Sequence, residues 1–414
     1  VNLPFFIARR CLSKHKGTFS AFIIRLAIIS TALSVAVMIV AMAFINGFQY
    51  TIRAKMYSFL GHVHVESYDK NHTQYIDLKP IKLDARLVKR MAAIPHVRQV
   101  AAFASRPSII HSGSEMEGVQ LKGIEPDYRF SNELSITGNN INYSDTAYSK
   151  QILLSSITAN RLNVKIGDTV QLYFLEPGSI SPRIRKVMIS GLYHTGVEDI
   201  DKFYGICDIR LLQRINGWGP NDINGYQVDL TNEKYSDTTA STIFEFFRDP
   251  EYVNSSLTAF TIRDIFPNVF DWLGTQDVTR VIVLAIMAIV AIINLAASLM
   301  MIIVDRARMV GLLKALGMAA SQTRQVFLYY AGLIAGVGIL VGNILAITIC
   351  LLEQKLHFLK LDESTYYMKY VPVRFNWWAV AAVDISTLLL CILCMWLPTL
   401  YIRFIQPARV LQFK

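Results

Sequence analysis

The 414-residue chain is 53% apolar and only 17% charged, too hydrophobic for an ordinary soluble enzyme, so membrane spans are sought before folds. Its net charge of +10 does not point to nucleic acid, because much of the basic excess flanks the apolar runs, where it meets anionic headgroups. Of the five cysteines, Cys350, Cys391 and Cys394 fall in apolar runs and Cys11 in the N-terminal arm, which leaves Cys207 alone in the polar region and excludes a disulfide framework.

In chain order, residues 1–25 form a basic amphipathic arm with Arg9, Arg10, Lys14, Lys16 and Arg25 and no acidic residue. Residues 26–48 are the first apolar run; at about 20 residues it exceeds a signal-peptide core, so it is expected to be a retained span. A long polar stretch, 49–277, separates it from a second run at 278–304. The loop 305–325 follows, then a third run at 326–352, a short loop at 353–376, a fourth run at 377–402 and a tail at 403–414. Each run is long enough to cross about 30 Å of hydrocarbon as a helix. Arg306, Arg308, Lys314 and Arg324 in the second loop, and Arg403, Arg409 and Lys414 in the tail, join the arm in predicting a cytoplasmic side. Four spans then place both termini inside and residues 49–277 outside.

The polar stretch alternates strand-like and helix-like segments. Strands are expected at 62–66, 99–104, 107–111 and 119–123 with a helix at 83–93, and a second unit pairs strands at 226–230 and 256–263 with a helix at 237–248. Between them, 128–225 reads as a β-rich insertion with strands at 151–155, 169–175 and 186–192. The fold class expected is an α-helical integral membrane protein with four transmembrane helices and a large α+β domain, a βαβ-type platform carrying that insertion, between the first two. The turn at 176–182 has a proline near each end, which suits a stiff projecting loop as well as an ordinary hairpin turn.

No catalytic constellation emerges. The histidines form no zinc spacing; His62 and His64 share a strand face, which fits a plain surface pair better than a metal site. No Gly-Lys pair occurs anywhere, so no phosphate-binding loop is present and the chain is not expected to be an enzyme. Within the spans, Asp384 and Asn294 must face protein or water, and an interhelical hydrogen bond is expected for Asp384. Gly332, Gly336, Gly338 and Gly342 give the third span two small-residue spacings that permit close helix approach.

The second loop is the most informative stretch. Its run Asp305-Arg306-Ala307-Arg308-Met309-Val310-Gly311-Leu312-Leu313-Lys314-Ala315-Leu316-Gly317-Met318 predicts a short helix with Val310, Leu313 and Leu316 as its apolar set and Gly317 at its end. The run resembles the cytoplasmic coupling segment of FtsX/MacB-type ABC permeases. The opening Phe5-Phe6-Ile7-Ala8-Arg9-Arg10, the exit Phe44-Ile45-Asn46-Gly47-Phe48, Tyr366-Tyr367 with Val371-Pro372-Val373, Pro398, and the tail Gln406-Pro407-Ala408-Arg409-Val410-Leu411 are similar to the LolC/LolE lipoprotein-releasing permeases.

The resemblance implies an inner-membrane protein of bacteria, with the large domain periplasmic, that transmits force from an ATPase. Arg306, Arg308, Gly311, Leu313, Lys314, Leu316, Gly317 and Met318 would contact a separate LolD-like ATPase subunit. That subunit would bind ATP and Mg, and this chain would hold no cofactor and no metal. A second permease subunit, the same or homologous, would pair with it. Lipoprotein acyl chains would enter from the outer leaflet between spans one and two of the paired subunits, past Met38, Met42, Ile45, Phe48, Val278 and Ile282, although the methionine spacing fits an ordinary lipid-facing or packing stripe better. Pro177, Gly178, Ser179, Ile180 and Pro182 stand where the family's chaperone hook stands, in a shorter loop, and would meet a LolA-like periplasmic chaperone. The chain departs from MacB in lacking a fused ATPase and from FtsX in the size of the outer domain. MacB-like export of peptides or drugs and FtsX-like control of a cell-wall hydrolase are the alternative readings.

Overall fold

The apolar runs fold as long helices and the alternating runs as one mixed sheet, in a computed structural model that describes residues 3–13, 19–67, 80–130, 134–145, 147–175, 181–252, 256–362 and 368–394. The chain divides into two units: Val1–Gln49, Trp272–Lys360 and Tyr370–Lys414 form the helical one, and Tyr50–Asp271 with Leu361–Lys369 form the sheet domain.

The sheet domain begins with the last turns of α2 (Phe19–Leu60), followed by β1 (Val63–Ser67), β2 (Ile81–Lys82), α3 (Ala85–Ala92), β3 (Val97–Ser112), β4 (Glu115–Ile124) and β5 (Ser135–Gly138). Then come β6 (Gln151–Ser155), α4 (Ser156–Arg161), β7 (Thr169–Phe174), β8 (Arg183–His194), α5 (Glu198–Phe203), β9 (Tyr204–Asp208) and α6 (Ile209–Asn216). The last elements are β10 (Asp222–Ile223), β11 (Gly225–Leu230), α7 (Ser236–Phe246), β12 (Leu257–Thr261) and α8 (Ile262–Ile265). Ten strands make one sheet in the order β12-β1-β11-β3-β4-β9-β6-β8-β5, with β7 pairing β3 and β8, and β2 and β10 form a separate pair. Only β4–β9 and β6–β8 are parallel among the described pairings.

Where two strands were expected, at 99–104 and 107–111, there is one, β3. Its first half pairs β11 as far as Phe103 and its second pairs β7 from Ile109. Pro107 lies between those two partners, where a missing N–H removes no ladder bond, so the strand runs through it. Among its described residues, the region 128–225 also contains three short helices, α4, α5 and α6, beside its strands. Alternation sets the core: Val170, Leu172 and Phe174 of β7 and Val187 and Ile189 of β8 point inward and are buried. Each such side chain contributes roughly 1.5–3 kcal/mol of burial free energy.

The end of α2 is held by this sheet. A helix leaves its last carbonyls without partners. Gly61, in a left-handed conformation (φ 79°), returns its N–H to Tyr57 O at 2.9 Å. Lys122 of β4 donates from Nζ to Phe59 O at 2.9 Å and to Gln227 Oε1, and the His64 ring donates from Nε2 to Leu60 O at 2.6 Å. Gln227 in turn donates to Tyr128 Oη at 2.6 Å and Asp229 Oδ1 at 3.1 Å. Cations suit a helix C-terminus. Burial nonetheless lowers the Lys122 ammonium from 10.5 to about 8, against the pull of the Asp229 and Glu66 carboxylates. Burial, reinforced by Arg98, lowers His62 to about 4, consistent with its Nδ1 accepting the Leu230 N–H at 3.1 Å.

In the helical unit, α1 (Leu3–Ser13) packs on α11 (Ala320–Leu356), while α9 (Pro267–Asp305), α10 (Ala307–Ala315) and α12 (Trp377–Cys394) complete the described helices. Ala21–Leu60, Pro267–Asp305 and Ser321–Leu356 are each long and apolar enough to cross a membrane, and Trp377–Leu393 is a shorter apolar helix. The rest of the fourth expected span, with Pro398 and the tail, lies outside the described residues, as do Tyr366 and Tyr367.

Two of the four glycines on α11 make the close approach. A Cβ on Gly342 would lie 2.6 Å from Ala32 O, and one on Gly338 2.8 Å from Thr31 Cβ, whereas Gly332 and Gly336 face nothing within 4 Å. One residue beyond Gly342, Asn343 Nδ2 donates to both carboxylate oxygens of Asp384 at 3.0 Å. The interhelical hydrogen bond expected for Asp384 thus has its donor on α11.

Two predictions follow from this packing. Gly342→Leu should lower the unfolding temperature of the detergent-solubilised chain, by overpacking of about 1–3 kcal/mol, while Gly336→Leu stays near wild type. For Lys122, the folded pKa lies below the unfolded one, so the unfolded chain binds more protons between pH 8 and 10 and stability rises with pH there. Relative to Lys122→Met, wild type should therefore gain roughly 2–4 kcal/mol of unfolding free energy across that window; parallel pH profiles would refute the assignment.

Candidate functional site

Two places in the helical unit gather side chains predicted to act. The first is the turn after α9. Arg306 N–H still bonds Ile302 O at 3.0 Å, and α10 starts with Val310 N–H on Arg306 O at 3.0 Å. The helix ends in a Schellman arrangement: Met318 N–H reaches Leu313 O at 3.0 Å, Gly317 N–H reaches Lys314 O at 3.1 Å, and Gly317 takes φ 89°. That conformation favours glycine, as its position at the helix end predicted.

The predicted apolar set does not share one face. At 100° per residue Val310 and Leu316 point about 120° apart, whereas Leu312 and Leu316 are only about 40° apart. Val310 is buried among Ile302, Ile303, Val326 and Phe327, and Gly311 is buried beside it. Leu312 and Leu316 are 52% and 77% exposed and form an outward row with exposed Arg308. Arg306, Leu313, Lys314 and Met318 are half-buried, and Gly317 is exposed. Leu312, absent from the predicted contact set, thus belongs to the outward face; its i, i+4 relation to both Arg308 and Leu316 was the available signal.

The second place is a collar around α2 at Phe44-Ile45-Asn46-Gly47-Phe48. On one side the segment 371–374 crosses the helix: Arg374 N–H bonds Ala43 O at 3.1 Å, and a Cβ on Gly47 would strike Pro372 O. Gln354 Nε2 on α11 holds the same segment at Val373 O, 3.1 Å away. On the other side α9 is tied by Arg280 Nη1 to Asn46 Oδ1 at 3.0 Å, and by Gln49 Nε2 to Leu273 O at 2.9 Å and Asp277 Oδ1 at 3.1 Å. Arg280 and Asp277 pair at 3.1 Å, and Phe48 meets Trp272 edge-on at 5.6 Å. Asp277 and Arg280 were not predicted; they are the last charges before the uncharged residues 281–304.

The residues predicted to line a lipid path separate. Met38 and Met42 are 2% and 5% exposed and pack with Ile39, Ile339, Ala346, Val380 and Val383, so in this chain they are bundle core. Ile45 and Phe48 are half-buried. Val278 and Ile282 are exposed and begin an apolar row on α9 that continues through Ile286, Ile289 and Ile293. Of the predicted docking loop, Pro177, Gly178, Ser179 and Ile180 lie outside the described residues; Pro182 is half-buried and immediately precedes β8, and Leu175 and Ile184 flank the loop exposed. His62 and His64, weighed as metal ligands, instead engage Leu230 N and Leu60 O.

Comparison with known proteins matches residues 26–231 to the MacB-like periplasmic core domain and 281–407 to the FtsX-like permease C-terminal family. The chain is 24% identical to the lipoprotein-releasing system transmembrane protein LolE of Haemophilus influenzae, over 99% of each chain. It is likewise 24% identical to LolC of Neisseria meningitidis, over 97% of each. Among solved structures it resembles the periplasmic region of MacB from Actinobacillus actinomycetemcomitans, with 13% identity, TM-score 0.35, and coverage of 50% of this chain and 91% of that one. The extracellular domain of the transporter YknZ from Gram-positive bacteria gives 14%, 0.34, 48% and 98%.

Proposed function

The chain belongs to the FtsX/MacB superfamily of ABC transporter permeases, as a bacterial inner-membrane protein with a periplasmic domain, and from that membership we propose that it extracts lipoproteins from the inner membrane. The observation that carries the cargo is the likeness to LolE and LolC along the whole chain rather than over the membrane helices alone. Released lipoproteins pass to a periplasmic chaperone for sorting to the outer membrane. Both termini are cytoplasmic, in keeping with the basic residues of the arm and the α9–α11 loop.

ATP hydrolysis is assigned to a separate subunit, because this sequence has no phosphate-binding loop. The outward row Arg308, Leu312 and Leu316 is the face offered to it. Gly317 closes α10 so that this row ends on an exposed leucine, while Val310 roots the helix in the bundle. A second permease subunit covers the apolar row of α9, which packs little within its own chain.

Depleting the chain should leave outer-membrane lipoproteins stranded in the inner membrane, as fractionation would reveal; correct sorting on depletion would sink the proposal. For the contact face, the double change Leu312→Asp and Leu316→Asp should weaken co-purification of the ATPase tenfold or more, since truncating a central anchor costs roughly 2 kcal/mol or more. Both side chains are exposed, so the chain's own unfolding temperature should hold. Undiminished co-purification would assign the contact elsewhere.

A further inference from the structure

We propose that α1 docks on anionic phospholipid headgroups at the inner surface of the membrane and that ATP hydrolysis by the attached subunit depends on this docking. The inference rests on the cytoplasmic placement of the termini and on the separate ATPase subunit, not on the cargo. The helix has two faces. Pro4 and Ala8 point inward and are buried, whereas Leu3, Phe6 and Arg10, on the roughly opposite side at about 100° per residue, are exposed. Leu3 and Phe6 are 54% and 49% exposed, and the Arg10 guanidinium lies over the Phe6 ring, 5.9 Å from its centre. Apolar side chains beside a cation on one outward face are what a helix lying in the headgroup layer presents.

The neighbours of α1 set its level. Its Phe5 ring meets Tyr329 of α11 edge-on at 5.6 Å, and Tyr329 begins the exposed face of α11 that continues through Val337, Leu340 and Ile344. Tyrosine favours the border between membrane and water. On α2, the exposed row Phe22, Leu26, Ile29 and Leu33 is bordered by exposed Arg25. Charge selects the lipid. Across residues 1–25, 305–325 and 403–414 the only acidic residue is Asp305, which pairs Arg306 at 3.7 Å, so the basic residues of the arm meet no opposing carboxylate of their own segment. Each basic residue at an anionic surface adds an attraction that salt screens. Packing carries the effect to the ATPase face: Ala8, fully buried, belongs to the same cluster as Ile302, Ile303, Val326, Phe327 and Val310, the residue that roots α10. Loss of the headgroup contact therefore loosens the seat of the outward row Arg308, Leu312 and Leu316.

The test uses the full chain with its ATPase and second permease subunit, reconstituted in nanodiscs of phosphatidylcholine alone or of an equal mixture with phosphatidylglycerol, and reads the rate of ATP hydrolysis. The wild-type rate is expected to be roughly threefold higher or more in the anionic discs, and high salt should remove that gain. Arg10→Gln with Arg25→Gln should abolish the gain, and Arg10→Lys with Arg25→Lys should keep it. Equal wild-type rates in the two discs, or an undiminished gain in the glutamine variant, would overturn the proposal. If the glutamine variant fails to assemble, Leu3→Gln with Phe6→Gln tests the same docking with the same readout. Loss of the ATPase from either variant in uncharged detergent would make α1 a protein contact and overturn the proposal as well. Release of lipoprotein is not the readout, so a complex that shows the lipid gain but releases no lipoprotein removes the cargo reading and leaves the docking of α1 in place.

Discussion

The backbone of α2 is approached directly by two other segments, α11 and the strap at Pro372, and the missing side chains at Gly338, Gly342 and Gly47 are what let them in. Association between apolar helices in a bilayer gains little from the hydrophobic effect and depends on close packing and on hydrogen bonds. Backbone contact supplies the first and sets up the second. With α11 seated on α2 through Gly342, the next residue, Asn343, turns to Asp384 on α12; with the strap seated at Gly47, Arg374 N–H meets Ala43 O. A methyl group at either crossing would separate the elements by more than a hydrogen bond tolerates.

Much of the architecture was legible because hydrophobicity is a local signal. Long uncharged runs give helices, and alternation gives β7 and β8. What escaped had short reach or distant partners. Pro107 read as a break between strands because the sequence does not reveal that its position faces a gap between β11 and β7. Helices α4 and α5 have six residues each, too few to show a helical period. Helix α6 was missed although its signals stood in the sequence, with Asp208 capping its start and Gly217 left-handed at its end.

The functional residues divide in the same way. The turn at Gly317 was legible, since helix termination is local chemistry, but the outward face of α10 was misjudged by treating positions 310, 313 and 316 as one stripe. The motif at Phe44 to Phe48 was recognised by resemblance, and its physical content came only from the fold. Asn46 answers a residue 234 positions away, and Gly47 answers Pro372. Polar residues at the border of an apolar run tell a reader that something meets them there, not what.

The sixteen-residue strand β3 bears on how such a domain can be built. Because it serves β11 with its first half and β7 with its second, while pairing β4 along ten residues, the region 128–225 is not a cassette hung on a finished platform. Excising it would strip β3 and β4 of neighbours on both flanks and expose their edges. The two halves should therefore melt as a single cooperative body. Lineages that lengthen or shorten this region are then expected to do so in its turns rather than by gaining or losing it whole.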